Sequence, residues 1–137
     1  MPSSSHSDSS DPRSWLGYAH ADLLLAESAP PSGVYLELLC FHAQQAAEKA
    51  LKAVLLARTG APPPQTHDVI LLIDLAERAG AGASPLSAEA AQALTQYAVL
   101  TRYPADLGAV DEAEWQAAVA DARAVVEWAA EQVAGQP

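Results

Sequence analysis

Apolar residues recur along most of the chain at steps of three and four, the spacing that lines one face of an α-helix, and nowhere alternate long enough for a strand. Trp15, Ala19, Leu23 and Ala26 form the first series, behind Asp11 as a candidate N-cap and Pro12 at the first helical position, where a missing N–H costs nothing. Pro30, Pro31, Ser32 and Gly33 end it. A long second helix is predicted over residues 34–59, closed by Gly60 and the prolines that follow. Thr66 is the candidate N-cap of a short third helix, with Asp68 and an apolar run behind it, that reaches about Arg78 and stops at Gly80 and Gly82. Ser87 starts a fourth, in which Leu86, Ala90, Leu94, Tyr97 and Thr101 hold one face until Pro104. Asp111 opens the last, where Trp115, Ala118, Val119, Ala122, Val126, Ala129 and Val133 keep the helical period. The pattern predicts an all-α protein, an up-and-down four-helix bundle with a short fifth helix, in which the second and fourth helices run parallel. Residues 1–10 are serine-rich and offer nothing to bury, so a disordered tail is expected before a single domain over 11–134.

Composition narrows this picture. The 137 residues are 50% apolar, enough for one core and too few for two. Only 6% are aromatic, so small side chains must pack helix against helix. No stretch is long and apolar enough for a membrane span, and no basic segment leads into an apolar run at the start, so a cytoplasmic protein is expected. Cys40 has no second cysteine to pair with. A net charge of −10 argues against non-specific binding to long duplex DNA, yet three of the seven cations, Lys49, Lys52 and Arg58, share one helix and leave a local basic pocket open. Neither a metal-ligand spacing nor a glycine-rich phosphate loop is present, so no metal or other cofactor is expected.

The second helix carries the candidate chemistry. Leu39, Ala43, Ala46, Ala50, Leu51, Ala53 and Val54 project to one broad side, the expected core face. His42, Gln45, Glu48, Lys49 and Lys52 form a polar stripe, with Glu48 and Lys52 in the favourable i,i+4 order. Such a stripe suits a solvated face, but Leu38, Phe41 and Leu56 lie in or beside it, and water alone does not call for a phenylalanine there. Leu38, Phe41, His42, Gln45 and Leu56 are therefore candidate interface residues.

Cys40-Phe41-His42-Ala43-Gln44-Gln45-Ala46-Ala47-Glu48-Lys49-Ala50-Leu51-Lys52-Ala53, followed by Thr66-His67-Asp68 and then Thr101-Arg102-Tyr103-Pro104, resembles the HEPN domain family in sequence and order, over roughly Trp15 to Val126. The resemblance implies a bundle of four main helices plus a short one, homodimers, and pairing with a minimal nucleotidyltransferase in a toxin–antitoxin-like system. It also implies two uses of the fold, binding of nucleotides or RNA and metal-independent RNA cleavage. Cleaving members carry an arginine, a polar residue and, shortly after, a histidine. Here Arg102 is the candidate arginine, and residues 103–109 hold no histidine.

Three readings follow from these residues. In the first, the protein is a dimeric nucleotide- or RNA-binding module in which Gln45, Lys49, Lys52 and Arg102 contact phosphate or partner groups. In the second it is an endoribonuclease, with Arg102 stabilising the scissile phosphate and His67 or His42 moving protons without a metal. His42 and Lys52 lie about 15 Å apart along a helix, so one small site cannot use both. A parallel fourth helix would set Arg102 nearer Lys52 and Arg58, with His67 the closer histidine. The third reading is a structural dimer without a ligand.

Overall fold

The computed structural model describes residues 9–28, 35–98 and 110–135. Five α-helices lie in these segments: α1 (Pro12–Glu27), α2 (Leu36–Thr59), α3 (Val69–Arg78), α4 (Ala88–Thr95) and α5 (Glu112–Ala134), with a 3-10 turn over Gln96–Ala98 after α4. The protein is all-α, as the periodicity requires. Among the described residues no helix is long and apolar enough to cross a membrane. The serine-rich start of the chain lies almost wholly outside the described residues, as do Thr101, Pro104 and the predicted end of the fourth helix.

Local chemistry sets the ends of the helices. The Asp11 carboxylate accepts from Arg13 N at 2.9 Å, with Pro12 in the first turn. Ser87 and Asp111 cap α4 and α5 by accepting from Ala90 N at 3.0 Å and Glu114 N at 2.8 Å. Gly60 ends α2 at φ 70°, a left-handed conformation that glycine adopts without steric cost, and its N–H returns to Leu56 O. The cap of α3 differs from expectation. Asp68 holds that position and accepts from both Ile70 N and Leu71 N, whereas the Thr66 hydroxyl accepts from Asp68 N one step upstream. A carboxylate reaches two orphan N–H groups where a hydroxyl two residues earlier reaches neither.

The central element is α2, and it is covered on more than the one side that its apolar spacing suggests. Ala43, Ala46, Ala47, Ala50, Leu51, Ala53 and Val54 are fully buried, and Leu55 and Leu56 nearly so. Small residues there let α1, α3 and α5 approach closely, with Ala19, Leu23 and Ala26 from α1 and Ala122, Val125, Val126 and Ala129 from α5 filling the space between.

Side-chain contacts fix the directions. Trp15 and Tyr18 near the start of α1 meet Lys52 and Lys49, and Asp22 meets His42, so α1 and α2 are antiparallel. At its start α3 touches Gln44, through His67 O, and at its end Arg58, through Ala79 O, so it runs with α2. The Thr95 hydroxyl then accepts from Val69 N, which turns α4 against α3 and α2. Trp115 Nε1 donates to Ala26 O at 2.7 Å, placing the start of α5 at the end of α1. The parallel run expected for the second and fourth helices is thus overturned: the proline-rich connection carries the chain back to the middle of α2 before α3 begins. Asp68→Ala should lower stability by about 1 kcal/mol, read as a fall in the urea midpoint at unchanged slope, and Thr66→Ala by less; the reverse order would return the cap to Thr66.

Candidate functional site

The polar residues at the middle of α2 lie against neighbouring elements, with Gln44, Glu48 and Lys52 buried and His42, Gln45 and Lys49 partly so. Glu48 sits at mid-helix with its side chain 4% exposed, and Lys52 one turn on is 8% exposed. Lys52 Nζ reaches Glu48 Oε2 at 2.8 Å, while Glu48 Oε1 takes His67 Nδ1 at 2.9 Å and Gln44 Nε2 at 3.1 Å. An ionised carboxylate only accepts, so His67 carries its proton on Nδ1 and turns Nε2 outward from a ring that is 66% exposed. Gln44, fully buried, also donates to His67 O at 2.9 Å, so the loop before α3 is tied to α2 by both imidazole and main chain.

Asp22 of α1 repeats the arrangement. Its Oδ2 takes Lys49 Nζ at 2.6 Å and its Oδ1 takes His42 Nδ1 at 3.1 Å. Both ammonium groups also lie over aromatic rings, Lys49 over Tyr18 and Lys52 over Trp15, each 5.7 Å from the centroid. Two carboxylates, Glu48 on α2 and Asp22 on α1, are thus each shared between a lysine of α2 and a histidine. Among the described residues every buried side-chain nitrogen and oxygen has a partner.

Burial alone would push the Glu48 carboxyl up, but the hydrogen bonds from Lys52, His67 and Gln44 and the Lys52 charge outweigh it and hold it below the ordinary glutamate value of 4.5. Elsewhere burial, reinforced by the Glu114 charge, pushes the Cys40 thiol up to about 12, so it packs as a small hydrophobe and is no nucleophile. Tyr97 donates to Glu114, and burial followed by that bond raises its phenol too.

The structure sorts the expected site residues. His67 joins Lys52 through Glu48; His42 belongs to the separate Asp22 cluster. Lys49 and Lys52, expected on phosphate, have their ammonium groups on carboxylates of the chain itself, and Gln45 is turned onto Gln44 Oε1 at 2.7 Å. Arg102 lies outside the described residues. Of the expected interface side chains, Leu38 is 41% exposed and Phe41 partly buried, with its ring edge-on to His42. Leu56 is 6% exposed, which leaves too little surface for the interface role expected of it.

Sequence reasoning missed Asp22, Gln44 and Trp15. Trp15, Tyr18 and Asp22 are spaced by three and four on α1, so a carboxylate sharing a face with a tryptophan was the available sign of a buried cation opposite. Trp15 and Lys52 also border a cleft of about 380 Å³, with Leu56, Pro62, Pro63 and Pro64 among its walls.

Removing Glu48 leaves a buried ammonium without a counter-charge. Glu48→Ala should therefore cost about 3–5 kcal/mol in denaturant unfolding, and adding Lys52→Met should recover part of that loss. Because Glu48 is held below its unfolded value, its contribution is complete above pH 4.5 and disappears as pH falls through the folded value. Glu48→Gln should flatten this acid limb of the stability profile; an unchanged limb would mean that Glu48 is not the titrating tie.

A sequence model of the HEPN domain matches residues 12–133. Comparisons with curated proteins and with solved structures return no match. The matched stretch takes in the five described helices, but for the last residue of α5, together with the Glu48 and Asp22 clusters, and the chain belongs to the HEPN domain family.

Proposed function

We propose that the protein is a dimeric HEPN module that binds nucleotides or RNA and works beside a minimal nucleotidyltransferase. The observation that carries this reading is the corner where the loop before α3 meets α2: a buried carboxylate fixes the exposed His67 through Nδ1, on the loop whose Gln65 lines the cleft bordered by Trp15 and Lys52. An imidazole held in this way offers a directed hydrogen-bonding group to a ligand at low entropic cost. Family membership supports a nucleotide- or RNA-related role. For the dimer, the support is apolar exposure at one end of the α1–α2 hairpin, where Leu24, Leu25, Tyr35 and Leu38 are 64%, 51%, 70% and 41% exposed.

A metal-independent ribonuclease is the second reading, favoured by the same His67–Glu48 pair. A histidine oriented by a carboxylate through Nδ1 is set up to exchange a proton at Nε2 with a ribose hydroxyl or a leaving oxygen. The transition-state cation in this reading is Arg102.

Two measurements separate these possibilities. Labelled RNA incubated with the protein in chelator should remain intact while ATP, GTP or short RNA binds, and His67→Ala should weaken that binding; cleavage lost in His67→Ala or Arg102→Ala selects the enzyme, and no binding at millimolar ligand leaves a structural dimer. In sedimentation, Leu38→Glu or Phe41→Glu should yield monomer, and an unchanged oligomer would place the contact elsewhere.

A further inference from the structure

We propose that the cleft between Trp15, Leu56 and the prolines 62–64 is a nucleobase site that takes the flat ring of a nucleotide and leaves its phosphates outside. The inference rests on the nucleotide- or RNA-binding reading and specifies which part of the ligand is held.

The cleft measures about 380 Å³, within the range of small-ligand sites and near its lower end. Its walls include an indole, a leucine and three consecutive prolines, the prolines bringing ring faces and carbonyls without a main-chain N–H, alongside two serines, Gly60 and Gln65. An oxyanion is best matched by several convergent cationic and N–H groups, whereas this lining is mainly apolar. Among the described lining residues Lys52 is the one cation, and its Nζ lies 2.8 Å from Glu48 Oε2 with the side chain 8% exposed. A phosphate that captured Lys52 would take it from a carboxylate 4% exposed, and a buried charge stripped of its partner is strongly unfavourable.

A neutral planar ring meets no such obstacle. Trp15 is fixed in place by the bond from its Nε1 to Ser9 O at 3.1 Å and by the Lys52 ammonium over its ring, so an aromatic surface stands ready without further ordering. Gln65 at the border of the cleft provides an amide with both donor and acceptor, suited to the edge of a base. His67 follows two residues later on the same loop, is exposed, and shares the Glu48 carboxylate with Lys52 of the cleft lining.

The test is calorimetric titration of the full chain with adenosine, ATP, ribose 5-phosphate and pyrophosphate. Adenosine and ATP should bind with comparable affinity, and ribose 5-phosphate and pyrophosphate should not bind at the same concentrations. Trp15→Ala should weaken adenosine by about 5- to 150-fold, the range for loss of one base–aromatic stack, and Trp15→Phe should restore most of it, with circular dichroism confirming that both variants fold. Pyrophosphate displacing ATP where adenosine fails, or ATP affinity unaltered in Trp15→Ala, overturns the base site alone. Failure of ATP, GTP and short RNA alike overturns both this site and the reading on which it rests.

Discussion

Everything in this structure that bears on function follows from a charge placed where water cannot reach it. Glu48 lies in the middle of a helix that packs against α1, α3 and α5, and an isolated carboxylate there would be several kcal/mol unfavourable. Lys52 and Gln44, one turn to either side, supply part of the compensation from the same helix. The rest must come from outside α2, and the loop before α3 supplies it with His67. That requirement explains why the chain doubles back after Thr59 through three prolines, why α3 runs with α2, and why a cleft opens between the returning loop and the first turn of α1. Asp22 answers the same requirement from the other side, drawing Lys49 and His42 onto α1.

Much of the scaffold was legible because helix ends and helix faces are local properties. Asp11 with Pro12, Ser87 and Asp111 each announce a helix start through chemistry confined to a single turn, and each occupies the cap that its position implies. Thr66 was a misleading signal because its hydroxyl accepts only from Asp68 N, while the Asp68 carboxylate takes the orphan N–H groups of the first turn. What spacing could not reveal was coverage. A polar stripe at helical intervals reads the same whether it faces water or a neighbouring helix that carries the complementary charge. Asp22 decides between those cases here, and it stands 27 residues from Lys49 in sequence. Leu56 was misplaced for the same reason, since its neighbours on the projection are polar but the fold leaves it only 6% exposed.

The pairing also redirects the chemistry. Lysines that look available for phosphate in the sequence are held on carboxylates, so α2 presents little free positive charge despite its concentration of cations. The outward-facing groups are instead the two imidazoles, His42 at 33% and His67 at 66% exposure, each oriented through Nδ1. On the proposed reading, recognition then depends on ring faces and directed hydrogen bonds more than on net charge, which agrees with a chain carrying −10 overall.

The central claim is that a buried carboxylate sets the tautomer of an exposed histidine. Long-range nitrogen–proton NMR correlation of the His67 ring, recorded where the imidazole is neutral, tests this most directly. The account predicts a single tautomer with the proton on Nδ1 and a bare Nε2, replaced by the ordinary mixture when Glu48 is changed to glutamine. A His67 ring that averages between tautomers in the native chain, or one protonated on Nε2 alone, would contradict it.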